Sequence, residues 1–186
     1  MAADCGHFYW RDPTMKHKIN TRHIVYGAML AALYVALTHL QNLLLPGSAT
    51  WAIQFRVSEA LCVFALLTPA AIPGLTIGCC LFNLSYAGAL PLDFLIGSLA
   101  TLLATLAMWL LRKVTVKGYP LPAMLMPALF NAVLVGWELT VYIGDAFWLN
   151  ALYVAIGEAA VLLIAGTILF YALKARNLDK RLMEKA

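Results

Sequence analysis

Three glutamates, Glu59, Glu138 and Glu158, stand inside stretches that are otherwise apolar. A charged side chain at the centre of a membrane helix costs about 2.5–3.5 kcal/mol on insertion scales, so three of them call for a compensating role. Around them fall Arg56, Asp93, Asn83, Asn131 and Gln54, with His39, Gln41 and Asn42 at a similar depth. Asn131 and Glu138, seven residues apart, share a helix face, as do Arg56 and Glu59, three apart. Four carboxylates (Glu59, Asp93, Glu138, Glu158) against one arginine leave a formal charge of minus three. A cavity so lined favours a cation, or a neutral ligand rich in N–H donors, over an anion. Two further chemistries use the same residues: Glu138 and Glu158 as proton carriers of an ion-coupled transporter, or as the acid–base pair of an intramembrane enzyme.

Each residue also has a plainer reading. Arg56 and Glu59 suit a mutual ion pair at the water boundary, and Asp93, just after Pro91, suits a helix cap. His39 suits a side chain snorkelling to the interface. Trp51, Trp137, Tyr142, Phe147, Trp148 and Tyr153 fit an interfacial aromatic belt, from which one or two, Trp137 first, are placed to stack on a flat ligand. Cys62, Cys79 and Cys80 read as small apolar fillers, and Cys5 lies in a polar leader. No metal-ligand spacing, phosphate-binding loop or hydrolase motif occurs, so neither cofactor nor metal is expected, and ATP hydrolysis must come from elsewhere.

The elements that position these residues follow from composition. Of 186 residues, 63% are hydrophobic and 12% charged, with a mean hydropathy of +0.82. A soluble domain carries roughly a quarter charged residues, so this chain uses lipid as solvent. Uninterrupted apolar runs predict an all-α bundle of six transmembrane helices at 23–45, 56–71, 73–90, 92–111, 121–144 and 149–173. The second and third are short for a core of about 30 Å, and the proline and glycine between them also suit the interrupted helices of transporter sites. Twelve of the 13 lysines and arginines fall before the first run, after the fourth or after the sixth, which predicts cytoplasmic termini on a multi-pass protein. That leaves a cytoplasmic leader at 1–22, a membrane domain at 23–173 and a basic tail at 174–186. Residues 1–14 share no pattern with the rest, so Met15 is a second candidate start. The basic residues track the loops and make no nucleic-acid surface. Ala28, Ala32 and Ala36, four apart on the first run, form a small-residue stripe suited to close helix approach, and Gly74 and Gly78 repeat the spacing on the third.

The string Ile53-Gln54-Phe55-Arg56-Val57-Ser58-Glu59-Ala60-Leu61 and the later Ala71-Ile72-Pro73-Gly74-Leu75 and Gly78-Cys79 resemble the queuosine-precursor transporter (QueT) family. So do Leu92-Asp93, Gly97-Ser98-Leu99-Ala100-Thr101-Leu102, Phe130-Asn131-Ala132, Gly136-Trp137-Glu138 and Gly157-Glu158. The resemblance implies a substrate-binding S component of an energy-coupling factor (ECF) importer in a bacterial cell membrane. It implies capture of a 7-deazaguanine queuosine precursor outside the cell, and pairing with a transmembrane coupling subunit and two cytoplasmic ATPases. By position it makes Arg56, Glu59, Asn131, Glu138 and Glu158 the ligand contacts, and Ala28 and Ala32 the surface for the coupling subunit. An S component for another vitamin-like compound is the alternative.

Overall fold

A computed structural model of the chain describes residues 21–46, 48 and 55–176. Among these it is all-helical: α1 (Thr21–Leu44), a 3-10 helix (Val57–Leu66), α2 (Ala71–Ser85), α3 (Asp93–Leu111), α4 (Leu121–Met124), α5 (Met126–Ile143), α6 (Phe147–Val161) and α7 (Thr167–Ala175). A π-helical turn, Leu162–Gly166, joins α6 to α7. Four stretches are long and apolar enough to cross a membrane: α1, α3, the pair α4–α5 and the run from α6 through α7. The 3-10 helix and α2 are apolar but shorter. Gln54, Trp51, the leader to residue 20 and the tail from 177 lie outside the described residues.

The boundaries follow from prolines and glycines. The second apolar run stops at Leu66, short of the expected 71, because Pro69 carries no N–H and disfavours helical geometry at Thr68. In α2, Pro73 falls in the first turn, where its missing donor has no intrahelical partner to lose. This helix ends at Ser85 rather than 90, since Tyr86 turns extended and Gly88 and Pro91 follow. Pro127 breaks the fifth run at Leu125, dividing α4 from α5. Gly144, in the left-handed region at φ 84°, closes α5 by donating its N–H to Thr140 O at 3.1 Å.

The centre of the bundle is the 3-10 helix, eight of whose ten residues are buried. It packs against α1, α2, α3, α6, α7 and the π turn. Covered on nearly every side by these elements, it sits inside protein and not against lipid. At about 2.0 Å per residue its ten residues reach about 20 Å, where an α-helix would reach about 15 Å. The long helices surround it and turn Ile24, Leu33, Leu99, Leu110, Val133, Ile156 and Ile168 outward, the surface expected in lipid. Backbones of α1 and α2 touch: a Cβ on Gly74 would lie 2.5 Å from the Gly27 carbonyl oxygen, and one on Gly78 would lie 3.1 Å from the Ala31 Cα. The Gly74 and Gly78 pair is therefore internal packing.

Candidate functional site

The polar side chains that lipid should have excluded turn inward and meet. Arg56 immediately precedes the 3-10 helix and Glu59 stands in it, while Asn83 comes from α2, Asp93 from α3, Asn131 and Glu138 from α5, and Glu158 from α6. All seven are buried, the three glutamates completely. Arg56 is an electrostatic neighbour of both Glu138 and Glu158. Glu59 and Asn131 stand beside Glu158, and Asp93 beside Glu138. On α3, Gly97 leaves room for the cluster, because a Cβ there would sit 2.9 Å from the Asn83 amide nitrogen and 3.8 Å from Arg56 Nη1.

Two of the four carboxylates are held by the protein. Glu59 accepts hydrogen bonds from the Tyr34 hydroxyl at 2.6 Å on one oxygen and from the Cys62 thiol at 3.1 Å on the other. A 3-10 helix stacks every third residue, so Arg56, Glu59 and Cys62 run along one edge. Asp93 accepts from the Leu90 N–H at 2.8 Å, closing the turn before α3, while its backbone carbonyl takes the Asn83 amide at 2.8 Å. Asp93 is therefore the first residue of α3 and not its cap, since its carboxylate reaches back to Leu90 while it also neighbours Glu138.

The other two are not held. Both carboxylate oxygens of Glu138, both of Glu158, and both amide atoms of Asn131 are buried with no hydrogen-bond partner among the described residues. Asp93 and Asn131 lie alongside without closing a bond of good geometry. An unmet buried polar group costs about 1–3 kcal/mol. Three such residues on the packed helices α5 and α6 concentrate unmet hydrogen-bonding capacity in one part of the bundle. Among the described residues no group of three His, Cys, Asp or Glu is set to hold a metal ion.

Other expected residues lie elsewhere. Trp137 is 53% exposed and points away from the cluster, so it belongs with Trp148, Tyr142 and Tyr153 on the outer surface near the α5–α6 turn. Ala28, Ala32 and Ala36 are exposed on the outer face of α1, opposite the cluster. Gln54 is outside the described residues. His39 contacts the Ser85 hydroxyl at 2.9 Å and packs edge-on against Phe82, tying α1 to α2.

Sequence reasoning placed Gln41 at this depth but missed Tyr34 and Thr38, the rest of the α1 side of the site. The Thr38 hydroxyl lies 2.7 Å from the Ser58 hydroxyl, and the Gln41 amide accepts from Val57 N–H at 2.8 Å and donates to the Phe55 carbonyl. Tyr34, Thr38 and Gln41, spaced four and three apart, form a helical polar stripe that could have revealed it. Cys62, taken for a filler, is a ligand of Glu59.

An all-helical apolar bundle with unmet polar groups gathered at its centre is the build of a membrane transport protein. The chain belongs to the QueT transporter family, whose model matches residues 24–175. This is a family of transport proteins, not of enzymes. No curated protein and no solved structure gave a significant match.

Proposed function

We propose that the chain is the substrate-binding S component of an ECF importer for a queuosine precursor, a 7-deazaguanine in its aminomethyl, nitrile or free-base form. The observation that carries this reading is the set of unpartnered buried groups on Asn131, Glu138 and Glu158. A guanine-type edge offers a ring N–H beside an exocyclic amine, which one carboxylate accepts in a bidentate manner. The lactam next to that donor pair offers a carbonyl to an amide. Glu158 with Asn131 beside it matches that edge. Glu138, beside Asp93, matches the ammonium of an aminomethyl substituent. Glu59, already bonded by Tyr34 and Cys62, shapes the wall, and Arg56 limits the negative charge.

The rest of the proposal concerns partners and placement. Six crossings with both termini in the cytoplasm of a bacterial cell put the acidic cluster in the outer half of the membrane. Two open grooves, of about 690 and 900 Å³, run along α1 and share Ala32 and Ala36 as lining. This small-residue face is suited to reversible docking of a transmembrane coupling subunit, through which two cytoplasmic ATPases would drive release. The deciding experiment is a calorimetric or thermal-shift titration of the solubilised chain with queuine and the nitrile and aminomethyl precursors, beside riboflavin, biotin and thiamine. Binding of a deazaguanine without any other subunit is expected. Stabilisation by a vitamin and by no deazaguanine overturns the substrate, and proton-driven uptake by this chain alone overturns the S-component role.

A further inference from the structure

At the far end of the bundle from the acidic cluster lies a second site of opposite character. A cavity of about 240 Å³ opens between the end of the 3-10 helix, the end of α3, the loop before α4, and α7. Arg112, Lys113 and Lys174 line it, and none of its lining residues is acidic. Its other wall is apolar, built from Leu66, Phe170 and Leu173.

Basic residues at helix ends have an ordinary explanation, since the 3-10 helix, α3 and α7 all finish here and each C-terminus carries about half a negative charge. The magnitudes exceed that need: three cations against about one and a half units of helix-end charge leave about +1.5. Arg112 is also fixed in place. Its Nη1 donates to the Trp109 carbonyl at 2.6 Å, and its guanidinium carbon sits 3.5 Å over the Trp109 ring. An arginine stacked and tethered this way keeps its remaining N–H donors oriented, whereas a solvated surface arginine would not. The space far exceeds the roughly 15 Å³ that admits one water.

From this juxtaposition of a fixed cationic rim and an apolar wall we propose that the cleft binds the headgroup phosphate of an anionic phospholipid. The phosphate meets Arg112, Lys113 and Lys174, and the glycerol and first acyl carbons lie on Leu66, Phe170 and Leu173. A free phosphate offers the same anion but nothing to cover the apolar wall, which favours the lipid. The cleft lies on the side that bears the chain's basic segments, where anionic headgroups attract such residues. The inference stands apart from the deazaguanine reading.

The test uses the full chain in an uncharged detergent, with lipid binding followed by native mass spectrometry and thermal shift. Phosphatidylglycerol is expected to bind in preference to phosphatidylcholine. At about fivefold per basic residue near the surface, the exposed pair Lys113→Gln with Lys174→Gln should weaken phosphatidylglycerol about twenty-five-fold, and adding Arg112→Gln about a hundredfold. Lys180→Gln, Arg181→Gln and Lys185→Gln together serve as the charge-matched control and should change little. Equal loss in that control means diffuse surface attraction and overturns the site, as does equal binding of the two lipids by the unaltered chain. If inorganic phosphate alone stabilises the unaltered chain and displaces the lipid, the ligand is a soluble anion and the lipid assignment falls. Deazaguanine binding, read in the same samples, should be unchanged throughout.

Discussion

Replacing Glu158 by methionine should make the empty protein more stable and useless as a receptor. Both oxygens of this carboxylate are buried without partners among the described residues. An unsatisfied buried polar group costs about 1–3 kcal/mol, and a thioether of similar length fills the space without that penalty. For a chain of this size each kcal/mol moves Tm by about 2–4 °C, so a rise of about 2–12 °C is expected in a thermal scan of the detergent-solubilised, ligand-free protein. The same change removes two charge-assisted hydrogen bonds to the ligand at about 1.5–3 kcal/mol each, which lowers affinity by about two to four orders of magnitude in a calorimetric titration. Glu59→Met is the counterpart. There the Tyr34 hydroxyl and the Cys62 thiol lose their acceptor, and Tm should fall. If Glu158→Met melts below the unaltered protein by as much as Glu59→Met does, Glu158 is tied into the bundle and the division between held and vacant carboxylates is wrong.

Other perturbations reach separate parts of the reasoning. Glu138→Gln should weaken an aminomethyl ligand at least tenfold more than a nitrile one, because only the former presents a cation; equal losses in titration would remove the charge argument. Ala32→Trp should leave ligand affinity intact and prevent co-purification of the coupling subunit, and continued assembly would leave that face to lipid alone. Gly74→Val must push apart backbones already in contact, since its Cβ would lie 2.5 Å from the Gly27 carbonyl oxygen. Overpacking of this kind costs about 1–3 kcal/mol, and an unchanged melting temperature would show that α1 and α2 do not meet there.

The long helices were legible because length and apolarity suffice to mark them, and the inward carboxylates because lipid tolerates so few. Winding was not legible. The polar pair Arg56 and Glu59, three apart, fits a period of 3.0 and one of 3.6 alike, and from Ala60 to Leu66 no polar residue other than Cys62 continues the pattern. The end of α2 was hidden for a related reason, as Tyr86, Ala87, Ala89 and Leu90 keep the run apolar through a turn. Trp137 fits the belt reading and not the stacking one: successive residues on an α-helix point about 100° apart, so the neighbour of an inward Glu138 looks out. Which acids already have partners depended on Tyr34 and Cys62, whose types say nothing of a carboxylate on another turn or another helix.

The tight winding beneath Glu59 has a mechanical side. Residues advance about 120° each in a 3-10 helix and about 100° in an α-helix, so relaxing the three steps from Glu59 to Cys62 would swing the thiol about 60° off the carboxylate and shorten that stretch by about 1.5 Å. In a variant with Cys5, Cys79 and Cys80 replaced by alanine, the sulfhydryl stretching band of Cys62, which falls where no other protein group absorbs, therefore registers the pitch of the central helix in the empty protein and on loading.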